Sequence, residues 1–151
     1  MERRIPMKLR EVLAFALLCL PGIAAAEEQL VLVTADSCPA DGISMLDIRK
    51  AYLGIGVELQ DRQIRAYRLI RNERIERIFF QNVVAMSQIT YERRMLSLML
   101  KYGTPRPREF TTTDTLAEAL QQGDCGIGYM WREQAFSYPG LKVIMVLWQG
   151  S

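Results

Sequence analysis

The 151-residue sequence contains no histidine. Histidine is the commonest general base at neutral pH and the commonest ligand of zinc, so its absence excludes a Ser-His-Asp triad, a Cys-His dyad and a histidine-ligated zinc site. The carboxylates are scattered, with no paired motif near a second pair on one predicted helix face, which leaves metal binding and glycoside hydrolysis unsupported. We therefore expect a protein that is not an enzyme and that needs no cofactor.

A strong excess of one charge is also missing. The chain has 19 Lys and Arg residues against 17 Asp and Glu, a net charge of +2 that is too small to mark a nucleic-acid binder. Arginine recurs every third residue from Arg62 to Arg77, but side chains alternate between the faces of a strand, so Arg65 and Arg68 are expected on opposite sides. Aromatic residues do not interleave with these arginines, and we expect no nucleic-acid partner.

Long apolar runs are scarce, and the longest, Val12 to Leu20, lies close to Met1. Basic residues precede it and three alanines ending at Ala26 follow it, which predicts a secretory signal peptide over residues 1–26. An uncleaved membrane anchor is the alternative, although the run falls short of the ~20 residues that span a bilayer. A lipoprotein modified at Cys19 is disfavoured, because Leu18 stands where a small residue is required.

Cysteine is also rare, and only two remain in the expected mature domain, residues 27–151. Export to the periplasm of a Gram-negative bacterium would place Cys38 and Cys125 in an oxidising compartment, where an even pair usually forms a disulfide. Two buried free thiols are the alternative, since no sequence rule fixes the separation of the two Cα atoms.

Hydrophobic periodicity predicts strands that alternate with helices. The predicted strands are residues 29–34, 63–70, 125–130 and 141–147, and the predicted helices are residues 45–53, 75–83, 88–102 and a short segment around 113–122. Ser44 and Ser87 provide helix starts, and Gly103 a stop. The third helix is apolar on two faces and is expected to be well buried. This order indicates an α/β sandwich with a mixed sheet flanked by helices.

Two G-x-G segments, Gly54 to Gly56 and Gly126 to Gly128, lack the third glycine of a nucleotide-binding fingerprint. The second lies inside a predicted strand. Close packing against a helix explains glycine there more simply than the approach of a ligand.

The order of motifs in the mature chain resembles that of the periplasmic phosphate-binding protein family, specifically its small one-lobe members, which are related to the substrate-binding components of phosphate ABC transporters. The likeness covers about residues 30–147. It rests on Ser44 to Gly54 (SMLDIRKAYLG), the predicted strand Ile64 to Ile70, Tyr102-Gly103 with Pro105 and Pro107, and Gly126 to Tyr129 (GIGY). The resemblance implies a type 2 periplasmic-binding fold, and the chain has the length of one of its two usual lobes.

The resemblance also implies an oxyanion site, because full-length relatives place an arginine and then Ser-Gly-Thr between a strand and a helix. If Arg71 corresponds to that arginine, residues 75–77 (Ile-Glu-Arg) replace the Ser-Gly-Thr segment. The candidate ligand residues are therefore Arg71 and Arg74, with the helix starts at Ser44 and Thr113. We expect phosphate or sulfate to bind weakly or not at all.

These expectations combine in a periplasmic, non-enzymatic accessory domain. It would bind a membrane or periplasmic protein such as a permease, a sensor kinase or a receptor, or it would dimerise and so complete the missing lobe. The alternative is the component of an ABC-type transport system that binds phosphate or another oxyanion.

Overall fold

A computed structural model describes residues 27–150. The predicted signal peptide, its cleavage after Ala26 and the alternative at Cys19 lie outside the described residues, at their amino-terminal side. No helix in the described part of the chain combines the length and the apolar character needed to cross a membrane.

The fold is α/β, with a five-stranded mixed sheet flanked by helices, as the sequence predicts. Its strands are β1 (Gln29–Ala35), β4 (Arg65–Leu69), β5 (Arg108–Phe110), β6 (Gly126–Trp131) and β7 (Leu141–Gln149), in the spatial order β5-β4-β6-β1-β7. Strand β1 runs antiparallel to both β6 and β7, whereas β4 runs parallel to both β5 and β6. A separate two-stranded ribbon joins β2 (Glu58–Leu59) to β3 (Arg62–Gln63).

Four of the five α-helices in the described chain begin at side-chain caps. The five are α1 (Met45–Tyr52), α2 (Glu73–Ile78), α3 (Gln88–Tyr102), α4 (Thr113–Gln122) and α5 (Arg132–Ala135), and a π-helical turn (Phe79–Val83) continues α2. Ser44, Asn72, Ser87 and Thr112 each accept a hydrogen bond from a backbone N–H three residues later, which satisfies one donor of the first helical turn. Gly103, with φ 66°, ends α3 in the left-handed conformation that glycine adopts without strain.

The two sheet faces carry different layers. Tyr129 of β6 packs against Tyr52 of α1 and Phe79 of the π turn. Its neighbour Gly128 faces the other way, where a Cβ atom would come within 3.0 Å of Leu116 on α4. Gly126 is equally constrained, since a Cβ there would meet the Tyr67 ring at 2.7 Å. Both glycines therefore permit close packing, as the sequence pattern indicates.

Cys38 and Cys125 form a disulfide, with their Cα atoms 4.9 Å apart. The pair connects the loop after β1 to the residue that precedes β6. Between the alternatives that the sequence left open, the structure favours the disulfide over two free thiols.

Three predictions of local structure need correction. The third helix is not well buried: only Tyr91 and Met95 are fully enclosed, because one side of α3 packs against the π turn, α1 and the Arg68 side chain of β4 while its other side is exposed. The predicted strand 63–70 is divided, with residues 62–63 in the ribbon and residues 65–69 in the sheet. The sequence analysis also missed β5, whose three residues are too few to show a period.

Candidate functional site

The Ser44 hydroxyl, predicted to hold an oxyanion, is already engaged at the start of α1. It accepts from the backbone N–H of Asp47 at 3.1 Å and donates to the Asp47 carboxylate at 2.6 Å. That hydrogen bond holds the pKa of Asp47 below its ordinary value. The amino-terminal end of α1, where an oxyanion was expected to bind, is therefore already occupied by the Asp47 carboxylate of the same chain.

Arg74 is engaged as well. Its guanidinium pairs with Glu28 and lies 5.1 Å from the ring centre of Trp131 and 5.3 Å from that of Trp148. Arg71, by contrast, is exposed in the turn between β4 and α2, with a left-handed φ of 67°, and makes no ion pair within residues 27–150. Of the two arginines, only Arg71 presents an unoccupied guanidinium.

Thr113 is the first residue of α4, and the cap is its neighbour Thr112. The Thr113 hydroxyl donates to the side chain of Gln134 at 3.4 Å. Because α4 covers the sheet face opposite α2, Thr113 and Arg74 are separated by the sheet. Ser44 follows β1, which runs against the parallel strands, so the four residues do not form one oxyanion pocket.

A groove of about 470 Å³, here called the arginine groove, lies at the amino ends of β4 and β5. Its walls are the end of α1 and the following glycine loop (residues 51 and 54–56), the start of β4 (residues 63–67) and the connector into β5 (residues 104–108). Arg65, Arg106 and Arg108 line it, and no Asp or Glu of the described chain does. The charged residues of its lining are therefore all arginines.

The three arginines of the groove are held differently. Arg106 pairs with Glu92 of α3, outside the groove, and Arg108 lies 4.9 Å from the ring centre of Phe110. Within residues 27–150, neither Arg65 nor Arg108 forms an ion pair. This site was not predicted from the sequence because its residues come from three distant segments, although the alternation of proline and arginine over residues 105–108 was a visible signal.

Arg68, on the opposite face of β4 from Arg65, is 2% exposed. Its guanidinium lies 3.0 Å from Glu109, 3.4 Å from Glu92 and 3.7 Å from Glu76, beside aromatic rings of the π turn and α3. Burial alone would lower the pKa of Arg68, but the neighbouring tyrosines and Glu109 outweigh it and the pKa is raised. This charge is internally balanced and joins β4, β5, α2 and α3.

The outer side of α3 carries more exposed large apolar residues than any other helix in the described chain. Ile89 is 66% exposed, Leu96 47%, Met99 41% and Leu100 74%. Ile89, Leu96 and Leu100 are spaced by seven and four residues, so they form one stripe along the helix. These four residues are called the α3 face below.

Comparison with known protein families finds no matching family model, and comparison with curated proteins finds no match. Inferences about function therefore depend on the fold and on these surfaces.

Proposed function

We propose that the chain is an exported, non-enzymatic accessory domain, similar to one lobe of a periplasmic binding protein, that acts by binding a partner protein. The observation that carries this proposal is the α3 face. Apolar residues this exposed and contiguous, placed on a regular helix, are typical of protein interaction sites.

The basic residues around the α3 face favour a partner whose surface is acidic. Arg93, Arg94 and Lys101 flank the α3 face and make no ion pair in residues 27–150, while Glu92 turns toward Arg68 and Arg106. A second copy of the chain, docked through the same helix, would bring these cations together. A membrane or periplasmic protein with an apolar surface bordered by Asp and Glu fits better, as on a permease, sensor kinase or receptor.

Site-specific photo-crosslinking in living cells tests this partner role. A photoreactive residue at Leu100 should give one discrete adduct with an envelope protein, and the same residue at Gln122 on α4 should not. Replacing Arg93 and Lys101 together by Glu should remove the adduct. Adducts formed equally from Gln122, adducts only between copies of the chain, or no adduct at all would contradict the proposal.

Oxyanion capture of the kind that the resemblance implies is a minor activity in this proposal. Ser44, Arg74 and Thr113 already hold partners of the same chain, and a single lobe leaves an anion open to solvent that screens its charge. Calorimetry with inorganic phosphate at moderate salt should detect weak binding or none. A micromolar affinity that Arg71→Ala abolishes would restore the phosphate-transport alternative.

Export belongs to the same proposal. The periplasmic protein should begin at Glu27, and amino-terminal sequencing measures this directly. An intact Met1 or a lipid on Cys19 would contradict it.

A further inference from the structure

We propose that the arginine groove is a binding site for a small organic anion that carries two or more carboxylate or phosphate groups. This site is separate from the α3 face and does not depend on the partner role. It also differs from the expected oxyanion site, because it lies at the amino ends of β4 and β5, whereas Arg71 and Arg74 follow the carboxyl end of β4.

The charge of the lining favours an anion. Three arginines line one concave surface from which carboxylates of the described chain are absent. Arg68 has three glutamates within 4 Å and Arg74 pairs with Glu28, whereas Arg65 and Arg108 make no ion pair in residues 27–150. Two guanidinium groups without a carboxylate partner in one groove provide donors for an external anion, and arginine binds carboxylate and phosphate through paired hydrogen bonds.

The second argument is that the groove is already shaped for a ligand. Pro105 and Pro107 fix the connector that carries Arg106 and Arg108. The Phe110 ring packs against the guanidinium of Arg108, and Glu92 pairs with Arg106 from outside the groove. The backbone N–H of Arg65 donates to the backbone carbonyl of Cys125 at 3.1 Å. Little side-chain and backbone freedom is then lost when an anion binds.

The third argument concerns the size of the ligand. Tyr67 is paired with Arg108 across the two strands, and Arg65 lies two residues before Tyr67 on the same face. Strand geometry therefore separates the Cα atoms of Arg65 and Arg108 by about 8 Å. A volume of about 470 Å³ is that of an ordinary small-molecule site and exceeds the needs of one phosphate ion.

The chemistry of the walls agrees with an organic ligand. The lining also includes Ile55, Ala66, Pro105 and Pro107, which offer apolar contact to a carbon skeleton. Gln63 adds a neutral donor and acceptor. A compact polycarboxylate or an organic phosphate would place its charges on the arginines and its skeleton on these walls.

The test is calorimetry on the mature protein at low salt, with benzene-1,3,5-tricarboxylate and citrate as probes and with inorganic phosphate and acetate as comparators. Wild-type protein should bind both polycarboxylates at least about tenfold more tightly than phosphate or acetate. Replacing Arg65 and Arg108 together by Ala should weaken polycarboxylate binding by about tenfold or more, because two charge-assisted contacts are lost.

The matched control replaces Arg77 and Arg94 by Ala, which removes the same charge from exposed helix positions and should change affinity by less than about threefold. Far-UV circular dichroism and the urea midpoint verify that both double variants are folded. Chemical shifts of the Arg65 and Arg108 Nε–H groups should move on titration in the wild type, which locates the ligand independently.

Four outcomes would overturn the proposal. They are undetectable polycarboxylate binding, equal affinity for inorganic phosphate, equal weakening in the control variant, and tighter binding of a pentaglutamate peptide. The last would assign the groove to an acidic protein segment instead.

Discussion

Arg65 and Arg68 stand three positions apart on β4 and have opposite environments. Arg65 is exposed in the arginine groove, and Arg68 is buried among three glutamates and three aromatic rings. The period of two along a strand predicts this separation, so the regular spacing of arginine in the sequence does not make a continuous basic surface. The sequence alone does not show which face of β4 is buried, because that depends on which helices pack against each face.

Replacing Arg68 by Met should lower the free energy of unfolding by about 3 kcal/mol, because the enclosed guanidinium loses its ion pairs with three glutamates and its contacts with three aromatic rings. Arg65→Met, the same change on the same strand, should alter it by less than about 0.5 kcal/mol. Urea denaturation of both variants measures the difference. Equal midpoints for the two variants would show that the buried ion cluster contributes little.

The buried tyrosines make stability depend on alkaline pH. Burial raises the pKa of Tyr91 to about 12, above the ordinary value of 10. The folded state therefore favours the neutral phenol of Tyr91. The stability that this phenol contributes is fully present below pH 10 and is lost as the pH rises through about 12. Burial also raises the pKa of Tyr52 and of Tyr129, so the same loss is expected from them.

Tyr91→Phe should accordingly reduce the loss of stability between pH 10 and 12 by about 1.4 kcal/mol per pH unit. At pH 8 the variant should be less stable by about 1 kcal/mol, because Tyr91 donates a hydrogen bond to the Tyr52 carbonyl at 2.9 Å. Denaturant titrations across this range give both quantities. Tyr102→Phe, at an exposed position, serves as control, and identical pH profiles for wild type and Tyr91→Phe would contradict the argument.

At the scale of elements, the features that could be predicted from the sequence are those set by residues close together in the chain. Ser44, Ser87 and Gly103 mark helix ends through short-range hydrogen bonds, and those ends are confirmed. Burial of α3 was predicted wrongly, since an apolar periodicity does not say whether a helix contacts a sheet or a second layer. The insertion of β1 between β6 and β7 depends on pairings far apart in the chain, which no local pattern encodes.

The two sides of α3 should respond differently to mutation. Met95→Ala should lower the free energy of unfolding by about 3 kcal/mol, because Met95 is enclosed. Leu100→Glu should change it by less than about 0.5 kcal/mol, because Leu100 is 74% exposed. Thermal or urea unfolding measures both effects. A large loss for Leu100→Glu would mean that the α3 face is part of the core and is not a docking surface.

At the scale of the whole molecule, the arginine groove exists only because distant segments meet. The groove combines the loop after α1, the start of β4 and the connector before β5, and its lining residues span positions 51 to 108. Sequence analysis placed the candidate ligand residues at helix starts, where a family motif is readable. Local patterns could not bring Arg65 near Arg108, since their proximity follows from the parallel pairing of β4 with β5.

The disulfide is the one covalent constraint on this arrangement in the described chain. It closes a loop with a sequence separation of 87 residues that contains β4, α3, β5 and α4. Closing a loop of that length in the unfolded chain is worth about 4 kcal/mol in the chain-entropy model. The backbone carbonyl of Cys125 also accepts a hydrogen bond from the backbone N–H of Arg65. The disulfide is therefore attached to the start of the central strand β6, beside the groove.

Replacing Cys38 and Cys125 together by Ala should therefore lower the free energy of unfolding by about 4 kcal/mol, measured by urea denaturation without reductant. Dithiothreitol should lower the wild-type midpoint toward that of the double variant and leave the double variant unchanged, which separates the bond from any packing effect. Thiol titration of denatured exported protein should find no free thiol before reduction and two after it. Two free thiols in unreduced exported protein, or a midpoint that dithiothreitol does not move, would show that the fold is held without this bond.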